Sequence, residues 1–204
     1  MTPLAARRWL WRRRRSLPES LDAVWSAPTP GRGQPVEDLR FLVCDAEMTG
    51  LDPASCEVLS LGWVCVENLE IDLGTSRHVV LRSGQGVGQS ATIHRLRDCE
   101  VQEGVAPLRA LEGLVSAAVG RVLVFHNAAL DMAFLNNLAQ REWGVPLLLP
   151  TVDTLRIEER LVRREREAIV EGELRLPESR TRYGLAPHRG HSALTDAIAT
   201  AELL

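Results

Sequence analysis

Phe41-Leu-Val-Cys-Asp45-Ala-Glu47-Met-Thr-Gly-Leu51-Asp-Pro53 is a short apolar run that ends in two carboxylates and a turn. Arg40–Cys44 reads as a short buried strand, and Thr49–Pro53 supplies the turn residues that close it. On a strand, Asp45 and Glu47 stand at i and i+2 and point to one face, while Cys44 and Ala46 point to the other. Two anions on one face raise each other's pKa unless a cation lies between them. The bland alternative is a strand end running into solvent, and Asp-x-Glu by itself does not decide between the two.

Working outward, Val58–Val66, rich in Val, Leu and Trp, and Ile71–Leu81 read as two more strands, with Asn68-Leu69-Glu70 as the hairpin between them. Gly74 marks a bulge or turn, and residues 83–90 a flexible loop. Apolar spacing predicts a helix over Pro107–Val119. A fourth strand follows at Val122–Phe125, then a helix at Ala129–Trp143 that stops at Gly144. Leu147–Val152 is a candidate fifth strand, and a helix covers about 153–166. Residues 167–190 read as irregular, and a last helix starts near Ser192. Three antiparallel strands followed by alternating helices and strands imply an α/β domain with a mixed five-stranded sheet, the later strands parallel, flanked by helices. Residues 1–36 read as an arginine-rich extension with a Pro/Gly linker, and 37–204 as the domain. No internal repeat is present.

Three more residues attach to this frame. Asp131 lies four positions after Asn127, and Asp196 lies five after His191. Each acid alone has an ordinary explanation, since a carboxylate in a helix's first turn complements its macrodipole. Together they mean more. The C-terminal ends of central strands, with helix starts beside them, are where α/β sheets bind ligands. Four carboxylates converging there need cations, and all-oxygen donors favour Mg²⁺ or Mn²⁺ over zinc. His191, which titrates near physiological pH, is the candidate general base.

Composition narrows the field. All 24 basic residues are arginine, and six of them lie in residues 1–15 without an acid; beyond them 18 face 27 acids. An acidic body suits a carboxylate pocket better than a long charged groove for nucleic acid. The arginines of the extension, read as Arg7–Arg15 on a short amphipathic helix, suit an arm that touches phosphates or a protein partner, or else a solvated helix packing its tryptophans on the body. No apolar run approaches the roughly 18 residues of a membrane span. The four cysteines lack C-x-x-C spacing and read as small buried hydrophobes of a cytoplasmic protein.

At these residues the chain resembles the DEDDh branch of the proofreading-type 3′–5′ exonucleases, a family with an RNase H-like fold. Asp45-Ala-Glu47-Met-Thr-Gly-Leu51 is similar to its first motif, Phe125-His-Asn-Ala-Ala-Leu-Asp131-Met-Ala-Phe-Leu135 to its second, and His191-Ser-Ala-Leu-Thr-Asp196 to its third. Thr92-Ile-His94 and Val152-Asp-Thr-Leu155 match shorter segments, so the similarity runs from about 39 to 204. The resemblance implies two divalent metal ions, Mg²⁺ or Mn²⁺, held by Asp45, Glu47, Asp131 and Asp196. It implies His191 as the base that deprotonates the attacking water. It implies release of 5′-mononucleotides from a free 3′ end of single-stranded DNA or RNA. Ala46, Met48, Leu51, His94, Asn127 and Phe134 would contact the substrate, although Phe134 also sits at core spacing from Leu130 and Leu138. Ala46, Met48 and Arg95 depart from the usual pattern, and none of them is a ligand. The competing expectation is a nonenzymatic module that binds nucleic-acid ends or a protein.

Overall fold

The computed structural model describes residues 3–31, 33–84, 96–166 and 168–204. A five-stranded sheet in the order β3-β2-β1-β4-β5 organises them. β1 (Arg40–Met48) is central and runs antiparallel to β2 (Val58–Glu67). β2 in turn pairs antiparallel with the edge strand β3 (Glu70–Val80). The two-residue turn between them places Asn68 and Leu69 at φ 53° and 61°, the left-handed pair that matches the twist of a tight hairpin. On the other side β1 lies parallel to β4 (Val122–Phe125), and β4 parallel to β5 (Thr151–Asp153). The mixed sheet expected from the sequence is the one observed.

Period-two alternation on β1 divides the core into two layers. Leu42, Cys44, Ala46 and Met48 join the larger cluster, with α4 (Pro107–Ala117) and α5 (Ala128–Trp143). Phe41 and Val43 face the smaller cluster, which Ala201 of α8 (Ala193–Leu203) helps close. Asp45 and Glu47, two and four positions on from Val43, therefore lie on the α8 side. Next to them the ladder shifts register: Glu47 pairs with Ser60 but Met48 with Val58. The extra residue, Leu59, makes a bulge that bends the strand at its carboxylate end.

The segment before the sheet carries α1 (Pro3–Arg14) and α2 (Glu19–Ser26). Leu21, Val24 and Trp25 are buried in the larger cluster. Helices also occur at α3 (Asp98–Gln102), α6 (Thr154–Glu165) and α7 (Leu176–Arg182). α7 falls in the stretch read as irregular. Among the described residues no helix is long and apolar enough to cross a membrane.

Candidate metal centre

β1 delivers two carboxylates and α8 a third. One oxygen from each of Asp45, Glu47 and Asp196 can be chosen so that all lie within 4.8 Å of one another. What lets α8 come so close is Gly62 on β2, directly opposite Asp45 in the ladder. A Cβ at Gly62 would lie 2.2 Å from both the Ala193 carbonyl carbon and the Leu194 nitrogen. The helix start therefore rests on bare strand backbone, and Asp196, one turn in, hangs over β1. An isolated glycine in a strand pattern signals such an approach, and Leu61-Gly62-Trp63 carried that signal unremarked.

Asp131 reaches the same region from the first turn of α5, where it is buried. It stands outside the three-residue group, yet its charge is the largest of the carboxylate charges acting on Asp45. Electrostatics in this region run in one direction. Burial, then the charges of Asp131, Asp196 and Glu47, hold the Asp45 carboxyl well above its ordinary range. Burial pushes Asp131 up to about 8, against the backbone N–H groups of Asp131 itself and Ala46 that favour its charged form. Asp196 is also raised, chiefly by burial. The donor set fits a divalent cation: all oxygen, close together and repelling one another when charged.

These shifts predict how metal-free protein responds to pH. Each carboxyl has a folded pKa above its unfolded one, so the folded chain holds more protons between about pH 4 and about pH 8, and stability falls as pH rises through that window. In EDTA, the melting temperature is expected to drop between about pH 6 and about pH 8. Mg²⁺ or Mn²⁺ should restore more of it at the higher pH, where protons compete less for the oxygens. A scanning calorimetry series with a flat melting temperature in EDTA over that range would contradict this.

Both oxygens of Asp196 are engaged. His191 donates its backbone N–H to Oδ2 at 2.9 Å, and Nε2 of His188 lies 2.9 Å from Oδ1. The backbone of His191 is left-handed, φ 68°, and its side chain is exposed. His188, by contrast, is mostly enclosed, its side chain 9% exposed. Sequence reading passed over His188; its only signal was a second imidazole three residues before His191. Both histidines line a cavity of about 340 Å³ with Asp45, Asp196, His126 and Arg175. His126 is fixed there by Thr154 Oγ1 at 2.9 Å and the Leu174 carbonyl at 2.7 Å.

The other expected contacts are placed as follows. Leu51 is 78% exposed. Its loop is tied down by Thr49–Glu57 bonds at 2.9 Å and by Asn137 Nδ2 donating to the Pro53 carbonyl at 2.8 Å. Asn127 is exposed at the start of α5, left-handed at φ 84°, with its N–H on Asp153 Oδ1 at 3.1 Å. Ala46 and Met48 are buried, on the face opposite Asp45 and Glu47. Phe134 is buried in the larger cluster and borders a separate cleft of about 370 Å³ beside residues 53–58. His94 lies outside the described residues.

Residues 42–204 match the model of a family described as Exonuclease, RNase_T. Two relatives are the PolC-type DNA polymerases III of Thermotoga petrophila and Thermotoga maritima. Each is 28% identical, over 180 and 174 residues, covering 82% and 81% of this chain but 12% of either relative. This chain thus spans a small part of their length. Among solved structures, E. coli Exonuclease I in complex with a dT13 oligonucleotide superposes with a TM-score of 0.69 at 15% identity, covering 81% of this chain and 40% of that one. Cell-death related nuclease 4 gives 0.69 at 13%, covering 80% and 62%.

Proposed function

Because this chain belongs to the Exonuclease family (RNase_T), of the DEDDh 3′–5′ type on an RNase H-like sheet, we propose that it hydrolyses the terminal phosphodiester at a free 3′ end of a single nucleic-acid strand, DNA or RNA, and releases 5′-mononucleotides. The observation that carries this reading is the convergence of Asp45, Glu47 and Asp196 within 4.8 Å, beside a cavity that His191 lines. Binding alone requires no such cluster of repelling acids.

Asp45, Glu47 and Asp196 would hold one divalent ion, and Asp45 would also serve a second, toward which Asp131 would act mainly through bound water. Bound as a pair, Mg²⁺ or Mn²⁺ supplies activation of water and neutralisation of the leaving oxygen. The chain's own residues do the rest. His191 accepts the proton of the attacking water, and its exposed side chain, on a backbone pinned through its N–H to Asp196, suits a base that must reach substrate and retreat. Leu51, projecting from a fixed loop, separates the last bases. Asn127, Ala46 and Met48 flank the terminal nucleotide, the latter two through their backbone, with His94 and Phe134 as further contacts. The setting is a reducing cytoplasm, in keeping with Cys44 and Cys65 packed as small apolar side chains.

The deciding assay uses 3′-labelled DNA and RNA strands of matched sequence, with free or phosphate-blocked ends. Labelled mononucleotide should appear only from free ends and only with Mg²⁺ or Mn²⁺. If no metal-dependent release occurs and calorimetry detects no Mg²⁺ binding even with nucleotide present, the nonenzymatic module takes its place.

His188 acts in this scheme through Asp196. A hydrogen bond to a ligating carboxylate fixes its orientation, and losing such a partner costs roughly 10–100-fold in metal affinity. His188→Ala should weaken Mn²⁺ binding by about that factor in calorimetry, and His188→Gln, which keeps a donor, should recover part of it. Equal affinities in all three proteins would remove His188 from the scheme.

A further inference from the structure

The N-terminal helical hairpin carries a cationic face for which the carboxylate site has no use. One side of α1 is committed to the body. Leu4 and Trp11 pack on the larger cluster. Arg8, 6% exposed, donates from Nε to the Leu148 carbonyl at 2.9 Å and from Nη1 to the Trp25 carbonyl at 3.4 Å. α2 seats beside it, with Trp25 Nε1 donating to the Leu147 carbonyl at 2.5 Å. Arg12 pairs with Asp22 at 2.8 Å and bonds Ser26 Oγ at 2.7 Å. The hairpin is therefore docked in one orientation through a buried arginine and a buried tryptophan.

The outward side of α1 consists of Arg7, Arg13, Arg14 and the following Arg15, all exposed, with Trp9 and Leu10 exposed by 49% and 45%. The Arg13 guanidinium lies 4.8 Å from the Trp9 ring centroid. Among the described residues no carboxylate pairs with Arg7, Arg13, Arg14 or Arg15. Arg7, Leu10 and Arg14 share a helix face, and Trp9 with Arg13 lies on the next one.

We propose that this face of α1 is a second nucleic-acid contact, which grips the phosphates of the strand at a distance from its 3′ end. Four cations on an otherwise acidic body complement a polyanion. The planar guanidinium fork matches phosphate oxygens, and an exposed tryptophan beside arginine is a platform on which a base can stack. The exposed apolar area is confined to Trp9 and Leu10, because Leu4 and Trp11 face the body. An anionic bilayer would need a continuous apolar stripe. The two contacts are separated. The hairpin fastens to Leu147 and Leu148, ahead of β5, whereas the carboxylates gather toward the C-terminal ends of β1 and β4. A strand held at both is retained between cuts by effective concentration. That consequence rests on the exonuclease reading, but the binding itself does not.

The test measures anisotropy of a labelled single strand of about 30 nucleotides, long enough to span both contacts, blocked by a 3′-phosphate and kept in EDTA. It compares wild type with the combined Arg7→Gln, Arg13→Gln, Arg14→Gln and Arg15→Gln protein. Affinity should fall at least tenfold. The slope of log affinity against log salt should shrink by about 3, since each phosphate contact to a single strand contributes about 0.7. The variant should degrade a trinucleotide at the wild-type rate while its KM for the long strand rises. Unchanged affinity and slope would overturn the proposal. So would loss of binding to phosphatidylserine vesicles with oligonucleotide binding intact, which would assign the face to a membrane. If wild type cleaves but does not bind the blocked strand in EDTA, this proposal falls and the exonuclease reading stands. If it binds through these arginines but never cleaves, the reverse holds.

Discussion

Asp45→Asn should abolish hydrolysis while leaving the metal-free protein at least as stable as wild type. Asp45 is the carboxylate most surrounded by others, with Asp131, Asp196 and Glu47 all acting on it. Its charge is unfavourable to the fold unless a cation is present, so the amide relieves repulsion in EDTA. Each kcal/mol recovered should raise the melting temperature by about 2–4 °C in a chain of this size. Activity should move the other way, by more than the roughly 100-fold that loss of a mere supporting hydrogen bond can cost. Paired measurement of melting in EDTA and of mononucleotide release with Mn²⁺ separates a chemical role from a folding defect. A variant retaining a tenth of wild-type activity would remove Asp45 from the centre of the scheme.

Gly62→Ala should be nearly as damaging from a position that touches no substrate. The added methyl would meet backbone atoms of Ala193 and Leu194 at 2.2 Å, and backbone cannot rotate aside as a side chain can. α8 must lift, carrying Asp196 from Asp45 and Glu47. Overpacking of this kind costs roughly 1–3 kcal/mol, and displacing one of three ligands should cost at least 100-fold in activity and in Mn²⁺ affinity. Gly113→Ala is the matched control. That Cβ would meet only Trp63 at 3.7 Å, an ordinary contact, and alanine in a helix gains about 1 kcal/mol over glycine. If Gly62→Ala melts like wild type and retains its metal affinity, the close approach of α8 is not what assembles the site.

Much of this architecture was legible because its determinants are local. The β1 run, the hairpin at Asn68–Leu69 and the stop of α5 at Gly144, φ 69°, announce themselves through alternation and left-handed residues. The three carboxylates that converge were each named from a motif. α7 was missed for a physical reason. Hydrophobic periodicity detects helices that bury apolar faces, and α7 buries Ser179 and Arg180 instead. Arg180 Nη1 donates to the Ala199 carbonyl at 2.6 Å, and Nη2 lies 2.6 Å from Glu202 Oε2. Arg8 anchors α1 in the same way, beside the tryptophan packing that was one of the two readings of the extension. His188 went unremarked because its partner, Asp196, is reached through the turn at His191, which sequence spacing does not reveal.

The ladder between β1 and β4 joins residues roughly 80 positions apart, and the carboxylate group joins residues about 150 apart. Contacts of such high sequence separation are the slowest to form in a folding chain. In a half-folded molecule Asp45 and Glu47 share β1 whatever α8 does, whereas Asp196 joins them only when α8 docks on Gly62. In the proposed scheme, activity depends on the longest-range contact of the site and would be the first property forfeited if α8 peeled away.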